Sequence, residues 1–287
     1  MLHIRQEALM ASFARRFLLQ AAFAILLAAA TGKVASAKGG PIDVDVELVL
    51  AVDVSYSMDP EEQRLQREGY IHALTSPEFL RAIASGAYGK IAIAYMQWAA
   101  VSDQDILLPW MVIDGPESAR AAAAILAEAP YRRARRTSIS GAIDKAIRMF
   151  ENNGYNGMRR VIDVSGDGTN NSGRPVSVAR DEALRQGVTI NGLPLLLRPS
   201  SWGFNDIANL DEYYEDCVIG GVGAFSIPIR SRDQFIEATR TKLVQEIASI
   251  PRLRIDMPRR EIVPAQRRET RVNCMVGESL WRERWGN

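Results

Sequence analysis

The chain has 287 residues, 47% apolar and 24% charged, the make-up of a globular protein that buries a large core, with no repeat or low-complexity tract. Its formal net charge of +1 gives no electrostatic case for nucleic acid or for an anionic membrane as a partner. Function must be read from order and spacing.

At the amino terminus Arg15-Arg16 precedes an apolar run over residues 17–30 and then small residues ending Ala35-Ser36-Ala37. The run is shorter than the roughly 20 residues of a spanning helix. A charged start, short apolar middle and Ala-x-Ala end fit a secretory signal peptide over residues 1–37, cleaved after Ala37. The mature chain is then periplasmic or otherwise exported, with no stable membrane span; an uncleaved anchor is the alternative. A twin-arginine signal fits less well, because the usual polar residue before the pair and lysine after it are missing. The mature part holds two cysteines, Cys217 and Cys274. An oxidising compartment permits a disulfide, and the spacing fits no zinc motif, but pairing does not follow from sequence, so two free thiols stay open.

After a short lead-in, residues 46–52 form an apolar run that reads as a buried strand. It delivers Asp53-Val54-Ser55-Tyr56-Ser57 to a loop at its carboxyl end, where open α/β sheets place ligands. Asp59-Pro60-Glu61-Glu62 starts a helix, with Asp as cap, Pro in the first turn and acids at the positive dipole end, running to about Leu74. A short helical stretch follows from Ser76-Pro77 to near Gly86. Residues 90–98 are a second strand and 106–113 a third, placed at an edge because Pro109 lacks a ladder donor. Gly115-Pro116-Glu117 opens an alanine-rich helix that Pro130 ends. The next loop holds Arg132-Arg133-Ala134-Arg135-Arg136, read as a solvated face ahead of a surface for an acidic partner.

Ile139, Ile143, Ile147 and Phe150 share a helical face, so the helix after Thr137 packs inward and holds that threonine at its amino-terminal end. Ser138 and Ser140 read as caps. Residues 158–165 are a strand, 166–173 its polar loop, 175–185 a helix capped by Gly187, and 188–197 a further strand. Residues 200–223 are irregular and 224–229 read as a last strand. Ser231 to Gln234 reads as a capping box for a helix whose Ile236, Leu243, Ile247 and Ile250 share a face. The alternation predicts an α/β domain over 44–250, a doubly wound, mainly parallel sheet flanked by helices. Residues 251–287 form an Arg-rich C-terminal extension, either a separate short structure or one folded back on the domain.

Three elements in order, Asp53-x-Ser55-x-Ser57, Thr137 and Asp167-Gly168, resemble the metal-ion-dependent adhesion site of von Willebrand factor type A (VWA) domains. The resemblance covers roughly residues 44 to 250. The chain is similar also to a bacterial VWA-like family of exported proteins of unknown function, through Val164-Ser165-Gly166-Asp167-Gly168-Thr169-Asn170-Asn171 and Val218-Ile219-Gly220-Gly221-Val222-Gly223-Ala224-Phe225. The resemblance implies Ser55 and Ser57 as direct hydroxyl ligands of Mg²⁺ or Mn²⁺ and Thr137 as a third. It implies Asp53 and Asp167 as carboxylates that usually act through water. The usual Thr or Ser before the Asp-Gly pair is Gly166 here. Asp163 lies inside an apolar strand and reads as a buried structural group or a support behind the ligands, ahead of direct metal binding.

These residues imply a module that grips an exposed Asp or Glu of a partner protein through a divalent cation. Competing readings are a metal-dependent hydrolase or phosphotransferase using Asp53, or a structural subunit that binds through its tail, where Trp281 and Trp285 lie. Against an enzyme, Ser55 stands where the haloacid-dehalogenase pattern has a second Asp, and the single mature-chain histidine, His72, falls within a helix. Gly221-Val222-Gly223 precedes a strand and lacks the third glycine of a nucleotide fingerprint.

Overall fold

One five-stranded sheet in the order β3-β2-β1-β4-β5 carries the molecule, with β1 (Ile42–Asp53) at its centre. The computed structural model describes residues 40–197, 207–248 and 271–285; the expected leader over 1–37 and residues 251–270 of the extension lie outside them. β1 runs parallel to β2 (Ile91–Trp98) and to β4 (Tyr155–Gly166), and β4 runs parallel to β5 (Val188–Pro194). β3 (Gln104–Ile113) is the expected edge strand and pairs antiparallel with β2, its register slipping around Pro109.

The alternation of β1 fixes the two layers. Val46, Leu48, Leu50 and Val52 face α1 (Pro60–Leu74), α2 (Pro77–Ala84), α3 (Pro116–Glu128) and a late helix, whereas Val49 and Ala51 face α4 (Ile139–Met149) and α5 (Val176–Arg185). All six apolar side chains are buried, each of the larger ones worth about 1.5–3 kcal/mol, so a one-residue slip would invert both layers. α1 starts as expected: Asp59 accepts from Glu62 N and Glu62 accepts from Asp59 N, each at 2.8 Å.

Three late expectations change. Residues 224–229 make only isolated bridges to the end of β5, Ser226 with Gly192 and Ile229 with Leu195. Gly192 N donates to Phe225 O, and Ile227 N and Ile229 N donate to Gly192 O and Pro194 O, but Pro194 has no N–H to continue the ladder. Ser231 makes no side-chain cap before the turn Arg232–Gln234; Gln234 Oε1 accepts from Arg230 N instead. α6 (Phe235–Ala248) leaves Ile236 43% exposed and buries Phe235, Thr239, Lys242, Leu243, Glu246 and Ile247. Ile250 lies outside the described residues.

After β5 a short helical turn, Leu210–Tyr213, runs into a π turn, Tyr214–Val218. Cys217 in that turn is disulfide-bonded to Cys274, with Cα atoms 5.4 Å apart. The bond brings the end of the chain, with α7 (Val276–Trp285), against the domain. No helix among the described residues is long and apolar enough to cross a membrane.

Candidate metal site

The parallel register sets the site. Val52 pairs with Ser165, so β1 and β4 finish level and Asp53 arrives beside Gly166-Asp167. Val54 N donates to Trp98 O at 2.9 Å and Ser55 N to Asp53 Oδ1 at 2.7 Å, folding the chain back over the strand end. Ser55 Oγ and Ser57 Oγ then lie 2.7 Å apart, and Ser57 Oγ donates to Asp167 Oδ1 at 2.6 Å. Two hydroxyls from one loop and a carboxylate from another form one chain of oxygens. Asp53 is fully buried, and its Oδ2 has no hydrogen-bond partner. Burial first, and then the charge of Asp167, push its pKa well above the usual carboxylate range. A buried carboxylate with an open oxygen, next to a second carboxylate, fits a divalent cation that takes oxygen donors.

Thr137 comes from the loop before α4 and is 2% exposed. Thr137 N donates to Asn171 Oδ1 at 3.0 Å, Asn171 N donates to Thr137 O at 2.8 Å, and Ser140 N donates to Asn170 Oδ1 at 2.9 Å. The threonine hydroxyl stands 3.8 Å from the position a Cβ would take at Gly168, directly after Asp167. All five expected donor residues therefore belong to three loops at the same end of the sheet. Among the described residues no group of three or more His, Cys, Asp or Glu side chains is placed to hold a metal, so hydroxyls would have to supply part of any set here.

Gly166 has a steric cause. A Cβ there would stand 2.9 Å from Asp53 Oδ2 and 3.1 Å from the Tyr214 hydroxyl, so a serine or threonine would press on the buried carboxylate. Asp53 and Tyr214 together take the space that the usual side chain would need.

Residues 43–251 match the family described as "Protein of unknown function (DUF1194)". The chain belongs to that family. Its fold is that of a VWA domain, and three solved structures share it at low identity. Proximal thread matrix protein 1 (PTMP1) from the mussel byssus is 14% identical with a TM-score of 0.54, over 73% of this chain and 49% of that one. A von Willebrand factor type A structure from Catenulispora acidiphila is 15% identical with a TM-score of 0.52, over 71% and 43%. The pilus adhesin SpaC from Lactobacillus rhamnosus GG is 13% identical with a TM-score of 0.52, over 73% and 31%. The chain thus spans about half or less of the length of these proteins. Another structure of the mussel protein has a zinc-occupied MIDAS motif. No curated protein matches the chain.

In this DUF1194 chain the basic run is zipped to the Asp53 loop. Ala134 N donates to Val54 O and Tyr56 N to Ala134 O, a one-residue parallel bridge opposite Ser55. Most of its arginines are engaged: Arg132 pairs with Asp103 and with Asp105 at 2.9 Å, Arg133 donates to Tyr56 O and lies over the exposed Tyr56 ring, and Arg136 stacks on Trp281. Arg135 is exposed. The run lies beside the Asp53 loop, with Arg133 and Arg135 exposed as a solvated face would have them and Arg132 and Arg136 half-buried.

Asp163 is fully buried in mid-strand, 2.6 Å from Lys242 Nζ, and accepts from the Tyr70 hydroxyl at 3.2 Å. Lys242 also pairs with Glu246. Ser138 caps α4 by accepting from Gly141 N at 3.1 Å, and His72 is exposed in the last turn of α1. Lys242, Asn170 and Asn171 escape a reading of ligand motifs. The one available signal for Lys242 was its position at the helical spacing of Phe235, Thr239 and Glu246.

Proposed function

We propose that this protein is an exported protein-binding module of adhesion or assembly type, in which Asp53, Ser55, Ser57, Thr137 and Asp167 hold Mg²⁺ or Mn²⁺ for an acidic residue of a partner. The observation that carries this reading is the buried Asp53 Oδ2 without a partner, beside the oxygen chain Ser55, Ser57 and Asp167. Two carboxylates and three neutral hydroxyls supply five oxygen donors, so a six-coordinate divalent cation would keep a position open for an Asp or Glu oxygen of the partner. The chain's own residues do the rest: Ser55 N–H holds the Asp53 carboxylate, the β1–β4 register aligns the two carboxylate loops, and Asn171 fixes Thr137. Tyr56 and Arg133, exposed beside the serines, offer an aromatic and a cation to the same partner. A metal-occupied motif in the mussel protein and the adhesin described from Lactobacillus support the reading by analogy of fold.

An Asp53-dependent hydrolase or phosphotransferase is the rival reading. The exposed His72, in the last turn of α1, is no part of it, and the titratable group beside Asp53 is the Asp167 carboxylate.

We further place residues 1–37 as a removed leader, 44–250 as the binding domain and 251–287 as an extension of it; intact mass should show a chain beginning at Lys38. Calorimetry of the mature protein with Mg²⁺ or Mn²⁺ should give binding that Ser55→Ala with Ser57→Ala abolishes while the circular dichroism spectrum stays unchanged. A wild-type protein that takes up neither ion, or a folded double variant that binds as well as wild type, overturns the metal reading. Asp53-dependent turnover of phosphoesters would replace it with the enzyme.

A further inference from the structure

The end of the chain reaches back to the loops that carry Thr137 and Asp167, and the metal motif by itself does not require it. Its anchor is the Cys217–Cys274 bond. Beside it Arg271 N donates to Asp216 Oδ2 at 2.6 Å, and the Arg271 guanidinium pairs with Glu215 at 2.6 Å, so both ends of the attachment lie on the π turn. From there α7 lies on the loop that follows Asp167. A Cβ at Gly277 would collide with the Asn170 carbonyl oxygen and stand 2.5 Å from Thr169 Oγ1, so only glycine allows this approach. One residue on, Glu278 Oε1 accepts from Asn170 Nδ2 at 2.7 Å. The other end of the same Asn170 amide accepts from Ser140 N in the first turn of α4, so one side chain joins α7 to the helix that follows Thr137.

A second contact reaches that loop directly. The Arg136 guanidinium lies 3.6 Å from the centroid of the Trp281 ring. Arg136 has a φ of 76°, in the left-handed region, which a non-glycine residue keeps only where its surroundings hold it. Thr137 is the next residue. Its backbone direction is therefore set by a strained neighbour that Trp281 covers.

We infer that Gly277, Glu278 and Trp281 are positioning residues for the candidate metal site. They hold the Arg136-Thr137 loop and the loop after Asp167 at their observed separation, from the anchor of the disulfide. Release of α7 weakens the site's affinity for a divalent cation. This inference rests on the metal reading above.

The test uses the full mature chain with its disulfide intact. Hydrogen exchange of the amides at residues 137–141 and 168–171 is followed without metal, and Mg²⁺ affinity is measured by calorimetry. Gly277→Ala and Glu278→Ala should each raise exchange in both loops and weaken Mg²⁺ binding about tenfold or more, the range for residues that orient metal ligands. Glu278→Gln keeps an acceptor for Asn170 Nδ2 and should match wild type in both readouts. Raised exchange with wild-type Mg²⁺ affinity overturns the inference, as does unchanged exchange in both alanine variants. A wild-type protein without Mg²⁺ affinity would sink the metal reading instead; the exchange comparison would then still support or reject the positioning of the loops by α7.

Discussion

Lys242 Nζ lies 2.6 Å from Asp163 Oδ1, and neither side chain has any exposure to solvent. The pair ties α6 to the middle of β4, one strand away from β1. With Glu246 against the same ammonium and Asn191 donating to Glu246 at 3.1 Å, a buried cluster of two carboxylates and one cation lies under the sheet. Such a group is retained only if its charges stay paired.

Removing the cation should therefore cost far more than a surface ion pair would. Lys242→Ala leaves Asp163 and Glu246 facing each other without a counter-charge, and we expect a loss of about 3–5 kcal/mol. Urea denaturation of the variant against wild type measures it. A loss below about 1 kcal/mol would mean that the cluster is hydrated or already neutral.

The same cluster makes stability depend on pH. Burial first, and then the charge of Asp163, raise the Glu246 pKa from 4.5 to about 7, against the opposing pull of Lys242. The groups facing it are Lys242, Asp163, the Asn191 amide and the partly buried Arg159, which donates to the Glu246 carbonyl. A carboxyl whose folded pKa exceeds its unfolded value binds more protons when folded, so its contribution is full below about pH 4.5 and is lost as pH rises through about 7. Wild type minus Glu246→Gln, compared by urea midpoint between about pH 4.5 and 8, should decline across that window by on the order of 3 kcal/mol. A flat difference would reject the shift.

Gly166 offers a test by restoring the residue type usual in the motif. Gly166→Ser places a Cβ 2.9 Å from Asp53 Oδ2 and 3.1 Å from the Tyr214 hydroxyl, so we expect destabilisation of about 1–3 kcal/mol rather than a better site. Tyr214→Phe in the same chain should recover part of it by removing one of the two crowding oxygens. Thermal melts of the single and double variants decide. Equal losses would place the strain on Asp53 alone.

Much of this architecture could be read before any coordinates, and the exceptions have physical causes. A short apolar run, interrupted only by Glu47 and ending in Asp-x-Ser-x-Ser, marks β1 and its loop through its length and its valines, since a strand buried on both faces has no alternation to identify it. Thr137 and Asp167 are picked out by resemblance to the VWA metal motif; periodicity places them only before a helix and after a strand. Residues 224–229 look like a strand when read alone; what stops them is a missing N–H on Pro194, in a different segment. A lysine on an amphipathic helix normally reads as solvated, and only the opposing Asp163 reveals why Lys242 is buried. Gly166 is explained by Asp53 and Tyr214 crowding it, and the role of Asn170 by Glu278, contacts that sequence order does not display.

The bond between Cys217 and Cys274 makes the continuity of the backbone before it partly dispensable. A single proteolytic cut anywhere between Ala248 and Arg271 would leave α7 covalently attached to the domain. The nicked protein would run as one species on a non-reducing gel and shed a small C-terminal peptide only after reduction.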